Sequence, residues 1–309
     1  AFLAKLAIDS FTSVFRRIHP CKNVLPSSSA SPAPPPSRST PPPVAVFAKD
    51  EPLKVAFVYV SPANEEGWSS QHDIARKFVE EKFGDKIKVT WIENIPENAD
   101  AQRVIRDLAQ QGNKIIFATS FGYMNSVMKV AKQFPNVYFE HATGYKTSKN
   151  VKNYTARFYE GRYLAGMLAA ATTKTNILGY VAALPIPEVF QGINAYTLGA
   201  RAVNPNIEVR VVWTSSWYDP GKEADATKAL IGMKADVITH HTNSTAVAST
   251  CEEAKVPVIS YNSAMHKAAP TMLLAASCTA GRSTTRTKSR RCLTASGTTP
   301  RFGAARTST

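Results

Sequence analysis

From Lys54 to Asn262, short apolar runs alternate with longer stretches of helical periodicity, and no other feature of the chain narrows its fold so far. The run "KVAFVYV" (54–60) is rich in β-branched and aromatic residues and reads as a buried strand. The segment "SSQHDIARKFVEEKFG" (69–84) follows as a helix, with Ile74, Phe78 and Phe83 near one stripe and Gly84 as its stop. Strands are expected at 88–94, 114–120 and 136–142, separated by helices at 99–112 and 125–134. An Ala-rich helix at 161–173 opens a second series, with strands at 177–183, 207–214, 235–241 and 256–262. Helices at 189–203, 221–233 and 244–255 separate them. A strand that is always followed by a helix has no hairpin to the next strand. The alternation therefore predicts parallel sheets flanked by helices on both faces. Two such series predict two similar α/β lobes, 50–156 and 157–269.

The formal net charge of +14 suggests a nucleic-acid partner, but its distribution argues against one. Residues 1–49 carry six Lys/Arg against Asp9 alone, and residues 270–309 carry seven Lys/Arg and no acid. The body between them is nearly neutral and offers no clustered basic face for phosphates. The leader, with the Pro/Ser tract "SSSASPAPPPSRSTPPP" (27–43), is expected to be disordered, and 270–309 to be a disordered or aberrant basic tail. No apolar run reaches the roughly 18 residues of a membrane helix. No apolar core of a signal peptide precedes Ala48. Cys21, Cys251, Cys278 and Cys292 show no metal-ligand spacing, so neither a metal nor a cofactor is expected.

In an open parallel sheet, ligands sit beyond the carboxyl ends of the strands. The residues there are Ser61 to Gln71, Phe121-Gly122-Tyr123 and Glu140-His141 in the first series. In the second they are Pro185 to Phe190, Trp217-Tyr218-Asp219, Asn243-Ser244 and Asn262-Ser263. Aromatics are frequent among them, and rings on two sides of a cleft can clamp a flat ligand, at roughly 1–3 kcal/mol per stacked base. Interleaved Asn, Ser, Glu and His can bond ring nitrogens and an exocyclic amine. Each aromatic also has a plainer reading. Trp68 can be a lid over the sheet end, and Phe121 and Tyr123 can cover the first turn of their helix. Trp217 shares its neighbourhood with Trp213, one of which belongs in the core. His72 reads as a helix-face hydrogen-bonder, and His240-His241 point to opposite faces, which disfavours a metal site. No nucleophile elbow, phosphate loop or zinc-protease motif is present.

Several spans carry a family resemblance: "FVYVSPANEEGW", "ATSFGYMN", "FEHATGY", "FYEGRYLAGMLAA", "GYVAALPIPEVFQGINAYTLGARAVNP", "WYDPGKEADATKAL" and "ADVITHHTNS". Over about residues 50–269 the chain closely resembles the BMP family, basic membrane lipoprotein-type substrate-binding proteins of bacterial ABC importers. The resemblance implies a type I periplasmic-binding-protein fold, with ligand trapped between two lobes. It implies uptake of a purine nucleoside or a free purine base such as adenine, and a membrane permease as partner. It places the protein in the periplasm or on the outer face of the cell membrane, often through a lipid anchor. Carried over by position, Trp68, Phe121, Gly122, Tyr123, Glu140, His141, Phe190, Trp217, Asn243 and Ser263 line the interlobe cleft, with Trp68 and Phe190 as the stacking pair.

Departures are visible too. Ala264 stands where the family pattern has an aspartate, and Asn243 where an acid also fits. In nucleoside binders such an acid holds ribose hydroxyls, so its loss favours a base. Cys21 lies in "RIHPCKN", which is no lipobox. Past Ala269 the family pattern gives way to Arg- and Thr-rich sequence, so the second lobe is expected to be incomplete and both ends out of the ancestral reading frame. Reading the coding nucleotides in all three frames tests that expectation, and finding no family-like C-terminus in any of them overturns it. The resulting expectation is a solute-binding protein rather than an enzyme. The alternatives are a nucleoside-processing α/β enzyme and a ligand-sensing regulatory module.

Overall fold

The computed structural model describes residues 51–63 and 66–278, together with the backbone of 292–294. The expected leader, and most of the expected tail, lie outside the described residues.

The first lobe runs β1 (Leu53–Val58), α1 (Trp68–Phe83), β2 (Ile87–Ile92), α2 (Ala99–Gln110), β3 (Ile115–Ala118), a short 3-10 turn at Phe121–Tyr123, α3 (Met124–Gln133), β4 (Tyr138–Ala142) and β5 (Val151–Tyr154). Its five strands are ordered β2-β1-β3-β4-β5, and every pair is parallel. Alternate residues of β1 enter different cores. Val55, Phe57 and Tyr59 pack with α1, while Ala56 and Val58 pack with α2 and α3. That is the period-two pleat of a strand buried on both faces.

The second lobe runs α4 (Phe158–Thr172), β6 (Ile177–Ala182), α5 (Pro187–Val203), β7 (Glu208–Trp213), α6 (Pro220–Gly232), β8 (Val237–His241), α7 (Ala246–Ala254), β9 (Val258–Asn262), β10 (Leu273–Cys278) and β11 (Cys292–Thr294). The strand order is β11-β10-β9-β8-β6-β7, again parallel throughout. Each α-helix that follows a strand begins at that strand's carboxyl end, and these ends of the two sheets face each other across a cleft. Helix α4 bridges the lobes. Phe158 at its start packs in the first-lobe core, while Ala165, Ala169 and Ala170 pack in the second.

Three expectations are corrected. The second lobe does not end at 269: β10 pairs with β9, and Ala275, Ala276, Ser277 and Cys278 are buried. The segment "LLAASC" has neither β-branched residues nor alternation, so its strand is imposed by pairing rather than signalled by propensity. Strand β5 was not expected: its "VKNY" is half polar, in keeping with its place at the sheet edge. In α1 two of the three anticipated stripe residues, Ile74 and Phe78, are exposed, whereas Phe83 packs on the core and His72, Asp73 and Arg76 are buried. An ion network makes this inversion tolerable. Arg76 Nε donates to Asp73 Oδ1 at 2.6 Å, its Nη1 meets Glu80 Oε2 at 2.5 Å, and its guanidinium stacks 3.8 Å from the Trp91 ring. Burial alone would raise the Asp73 carboxyl, but hydrogen bonds from Arg76 and Lys77 outweigh it and hold it below the usual carboxylate range.

The inverted helix makes a contrast testable by urea unfolding. Phe78→Ser is expected to change stability by no more than about 0.5 kcal/mol. Arg76→Ala leaves the buried Asp73 carboxylate without its closest cation and is expected to cost about 3–5 kcal/mol.

Candidate functional site

The cleft holds a cavity of about 320 Å³, counting its mouth. The first lobe supplies Trp68, Ser120, Phe121 and Thr143, and the second supplies Glu188, Trp217, His241, Asn243, Tyr261 and Asn262. All ten lie at or just beyond strand carboxyl ends, as the parallel topology requires.

The loop "SPANEEGW" brings Trp68 to the first turn of α1. The indole Nε1–H donates to the Thr119 carbonyl at 2.5 Å. The ring packs edge-on to Phe158 at 5.9 Å and tilted on His72 at 4.6 Å. His72 is therefore scaffold: it pairs with the Trp68 carbonyl at 3.0 Å, and burial lowers its pKa to about 4. Gly67 has φ +155°, and a Cβ there would collide with the backbone carbonyl of Asn243 in the other lobe. Glycine at this position lets the two lobes touch main chain to main chain.

Opposite stands Trp217, on the loop after β7. Its Nε1–H donates to Glu97 Oε2 at 3.0 Å, a bond between the lobes, and its carbonyl accepts from Asn243 N–H at 2.8 Å. Phe121 lines the cavity from the 3-10 turn.

The other expected site residues fall behind this surface or away from it. Gly122 N–H donates to Glu97 Oε1 at 2.7 Å. Tyr123 is fully buried, and its hydroxyl donates to the Ile95 carbonyl at 2.5 Å. Glu140 is buried in β4, inside the first lobe. His141 is buried as well, and its Nε2–H donates to the Ser120 carbonyl at 2.7 Å, so it supports a lining residue without lining the cavity itself. Ser263 is buried beside Asn262, which takes the lining position. Phe190 is the clearest correction: its ring lies 5.4 Å from Trp213, is 46% exposed, and does not face Trp68. Helix α5 begins at Pro187, and residues two apart on a helix point about 200° apart. With Glu188 turned into the cavity, Phe190 must turn out.

Ser120, Thr143 and Tyr261 are not foreseen from the sequence, while Glu188 and Asn262 fall among its strand-end residues, and His241 in its discussion of the His240-His241 pair, without being assigned to the cleft. Two of them carry a backbone signal visible only in three dimensions. Thr143 and Asn262 have φ of +58° and +65°. For a β-branched residue such as Thr143 this is an outlier of roughly 1–3 kcal/mol, of the kind that clusters at ligand sites.

Electrostatics at the floor of the site are set by Arg162 of α4, which is completely buried. Its Nη2 donates to the His240 carbonyl at 2.7 Å and its Nη1 to Thr239 Oγ1 at 3.2 Å. Its guanidinium lies 3.7 Å from the Tyr261 ring centre. Burial, reinforced by this cation, pushes His240 down to about 3 and His241 well below its ordinary value, so both rings are neutral. Glu188 stands 3.7 Å from His241 Nε2, and Thr143 of the first lobe lines the same cavity. It occupies the first turn of α5, where the helix dipole favours a carboxylate by about 0.3–1 kcal/mol. Burial wins nonetheless and raises its pKa to about 7, against the pull of Arg162 and Thr143. The cavity thus presents aromatic rings, neutral donors and acceptors, and one acid poised near neutrality. Among the described residues no group of His, Cys, Asp and Glu could hold a metal ion.

Two outcomes follow from this geometry. Gly67→Ala is expected to hold the lobes apart without unfolding either of them, seen as a larger radius of gyration in solution scattering. The folded state keeps the Glu188 proton up to about pH 7, whereas the unfolded chain releases it near the ordinary value of 4.5. This group's contribution to stability therefore falls as pH rises through that window, by up to about 3 kcal/mol. Denaturant midpoints measured across the window should fall more steeply with pH in the wild type than in Glu188→Gln.

Comparison with known proteins places this architecture. A purine-binding protein of Brucella abortus (strain 2308) is 52% identical over 227 residues, covering 74% of this chain and 65% of that protein. A putative ABC transporter glucose-binding protein of Haloferax volcanii is 41% identical over 218 residues, covering 71% of this chain and 55% of that protein. The chain thus spans less than two thirds of the length of these curated relatives. An ABC transporter solute-binding protein from Aeropyrum pernix K1 superposes with a TM-score of 0.65 at 17% identity, covering 73% of this chain and 66% of that one. That likeness shows the two-lobed periplasmic-binding-protein fold. Residues 53–297 match the Bmp family, described as ABC transporter substrate-binding protein, PnrA-like. The chain belongs to the Bmp family of PnrA-like ABC transporter substrate-binding proteins.

Proposed function

We propose that this chain captures a purine base or purine nucleoside between its lobes and delivers it to a membrane permease outside the cytoplasm. The observation that carries the reading is the placement of Trp68 and Trp217, one from each lobe, on one small cavity with Glu188, Asn243 and Asn262. Two indoles suit a flat, electron-rich ring, and side-chain amides and a carboxyl suit its ring nitrogens and exocyclic group. Among the described residues no Lys or Arg lines the cavity, which disfavours a phosphate-bearing ligand. The 52% identical relative is named purine-binding, which supports the same reading. The mechanism is capture: ligand contacts made only when both lobes close draw the open–closed equilibrium toward closure. The closed form then docks on the permease. The small cavity, and Ala264 in place of an acid, favour a free base over a nucleoside.

Calorimetric titration of the full chain with adenine, adenosine, guanosine, inosine and glucose tests the proposal. Saturable binding of a purine, with glucose inert, is the expected result; binding of glucose alone overturns it. Trp68→Ala is expected to weaken purine binding by about 1–3 kcal/mol if the indole stacks, and unchanged affinity in the folded variant removes that role. Incubation with adenosine or inosine should release no base, whereas release of base supports the enzymatic alternative.

A further inference from the structure

One carboxylate outside the cavity lining joins the lobes. Glu97 lies on the loop between β2 and α2, and both of its oxygens are engaged. Oε1 accepts from Ser120 Oγ at 2.5 Å and from Gly122 N–H at 2.7 Å, both in its own lobe. Oε2 accepts from Trp217 Nε1 in the second lobe at 3.0 Å. Ser120, Phe121 and Trp217 all line the cavity, so this carboxylate stands directly behind both of its walls. Gly122 makes the seat possible, since a Cβ there would fall on the Glu97 carboxylate carbon.

We infer that Glu97 is a positioning residue for ligand capture: it latches Trp217 onto the first lobe and so sets the indole at the cavity when the cleft closes. The inference rests on the capture reading above. Its chemistry is specific to a carboxylate. Three donors converge on two oxygens, and an acceptor-only group meets all of them. A glutamine offers one oxygen. If that oxygen serves Ser120 and Gly122, the amide NH2 confronts the indole N–H donor to donor, and the bond between the lobes is lost. The indole also has no second hydrogen, so Trp217 can engage Glu97 or a ligand through Nε1, but not both. With Glu97 in place, Trp217 is left to meet the ligand through its ring. The latch therefore fixes the indole as a stacking surface rather than as a donor.

The test is a double-mutant cycle in the full chain. Glu97→Gln removes the acceptor, and Trp217→Phe removes the donor while keeping a ring. Each single variant is expected to weaken adenine binding by roughly tenfold or more, the size of a lost bond to a charged group. The double variant is expected to be no worse than the weaker single, because both changes break one bond. In the ligand-free protein, solution scattering should show a larger radius of gyration for both single variants. Gly122→Ala should behave like Glu97→Gln. A purely local role for Glu97, holding Ser120 and Gly122, predicts instead that Glu97→Gln weakens binding as much in the Trp217→Phe background as in the wild type. That additivity, or an unchanged radius of gyration in ligand-free Glu97→Gln, overturns the latch. A wild-type chain that binds no purine overturns the capture reading, and the ligand-free scattering comparison still decides the latch.

Discussion

The second lobe is organised around a buried cation. Arg162 has no exposed surface, and a guanidinium taken from water costs several kcal/mol unless its donors are met. The His240 carbonyl, the Thr239 hydroxyl and the Tyr261 ring meet part of that cost, while the buried Nε has no hydrogen-bond partner among the described residues. In doing so they tie α4 to β8 and β9 at the ends that reach the cleft. The same charge adds to the burial that keeps two adjacent histidines neutral and works against the burial that protonates Glu188. Fold stability and site polarity thus share one origin, and neither can be altered without the other.

The first lobe reaches the same end by geometry rather than charge. Trp68 is pinned to the Thr119 carbonyl, His141 supports Ser120 from below, and Gly67 permits backbone contact with Asn243. Among the described residues, the Trp217 indole donates across the cleft to Glu97, and the Gly67 backbone meets that of Asn243. Each lobe has its own cores on both faces of its sheet.

Much of this was legible in the sequence. The alternation of β-branched runs with helical periods located nearly every strand and helix, because a parallel sheet buried on both faces leaves that rhythm little freedom. Strand ends also located the loops of the site, and Trp68, Phe121, Trp217 and Asn243 do meet at the cavity. Periodicity could not say which residue of a helix's first turn faces inward, and so Phe190 stood where Glu188 belongs. Nor could it foresee α1, where paired charges take the inside and Ile74 and Phe78 the outside. A pattern read from hydrophobicity assumes that charges stay in water, and Arg76, sandwiched between Asp73 and Trp91, breaks that assumption. Strand β10 was missed for a different reason: its pairing partner, not its composition, makes it a strand.

The parallel topology has one more effect. Because every strand points its carboxyl end at the cleft, the helices that follow begin there, and their partial positive poles converge on it. The chamber therefore carries a mildly electropositive background supplied by main-chain amides, without a lysine or arginine on its walls. Such a background favours negative charge and, more weakly, the lone pairs of neutral acceptors. A guest rich in ring nitrogens would experience it as a solvent already oriented.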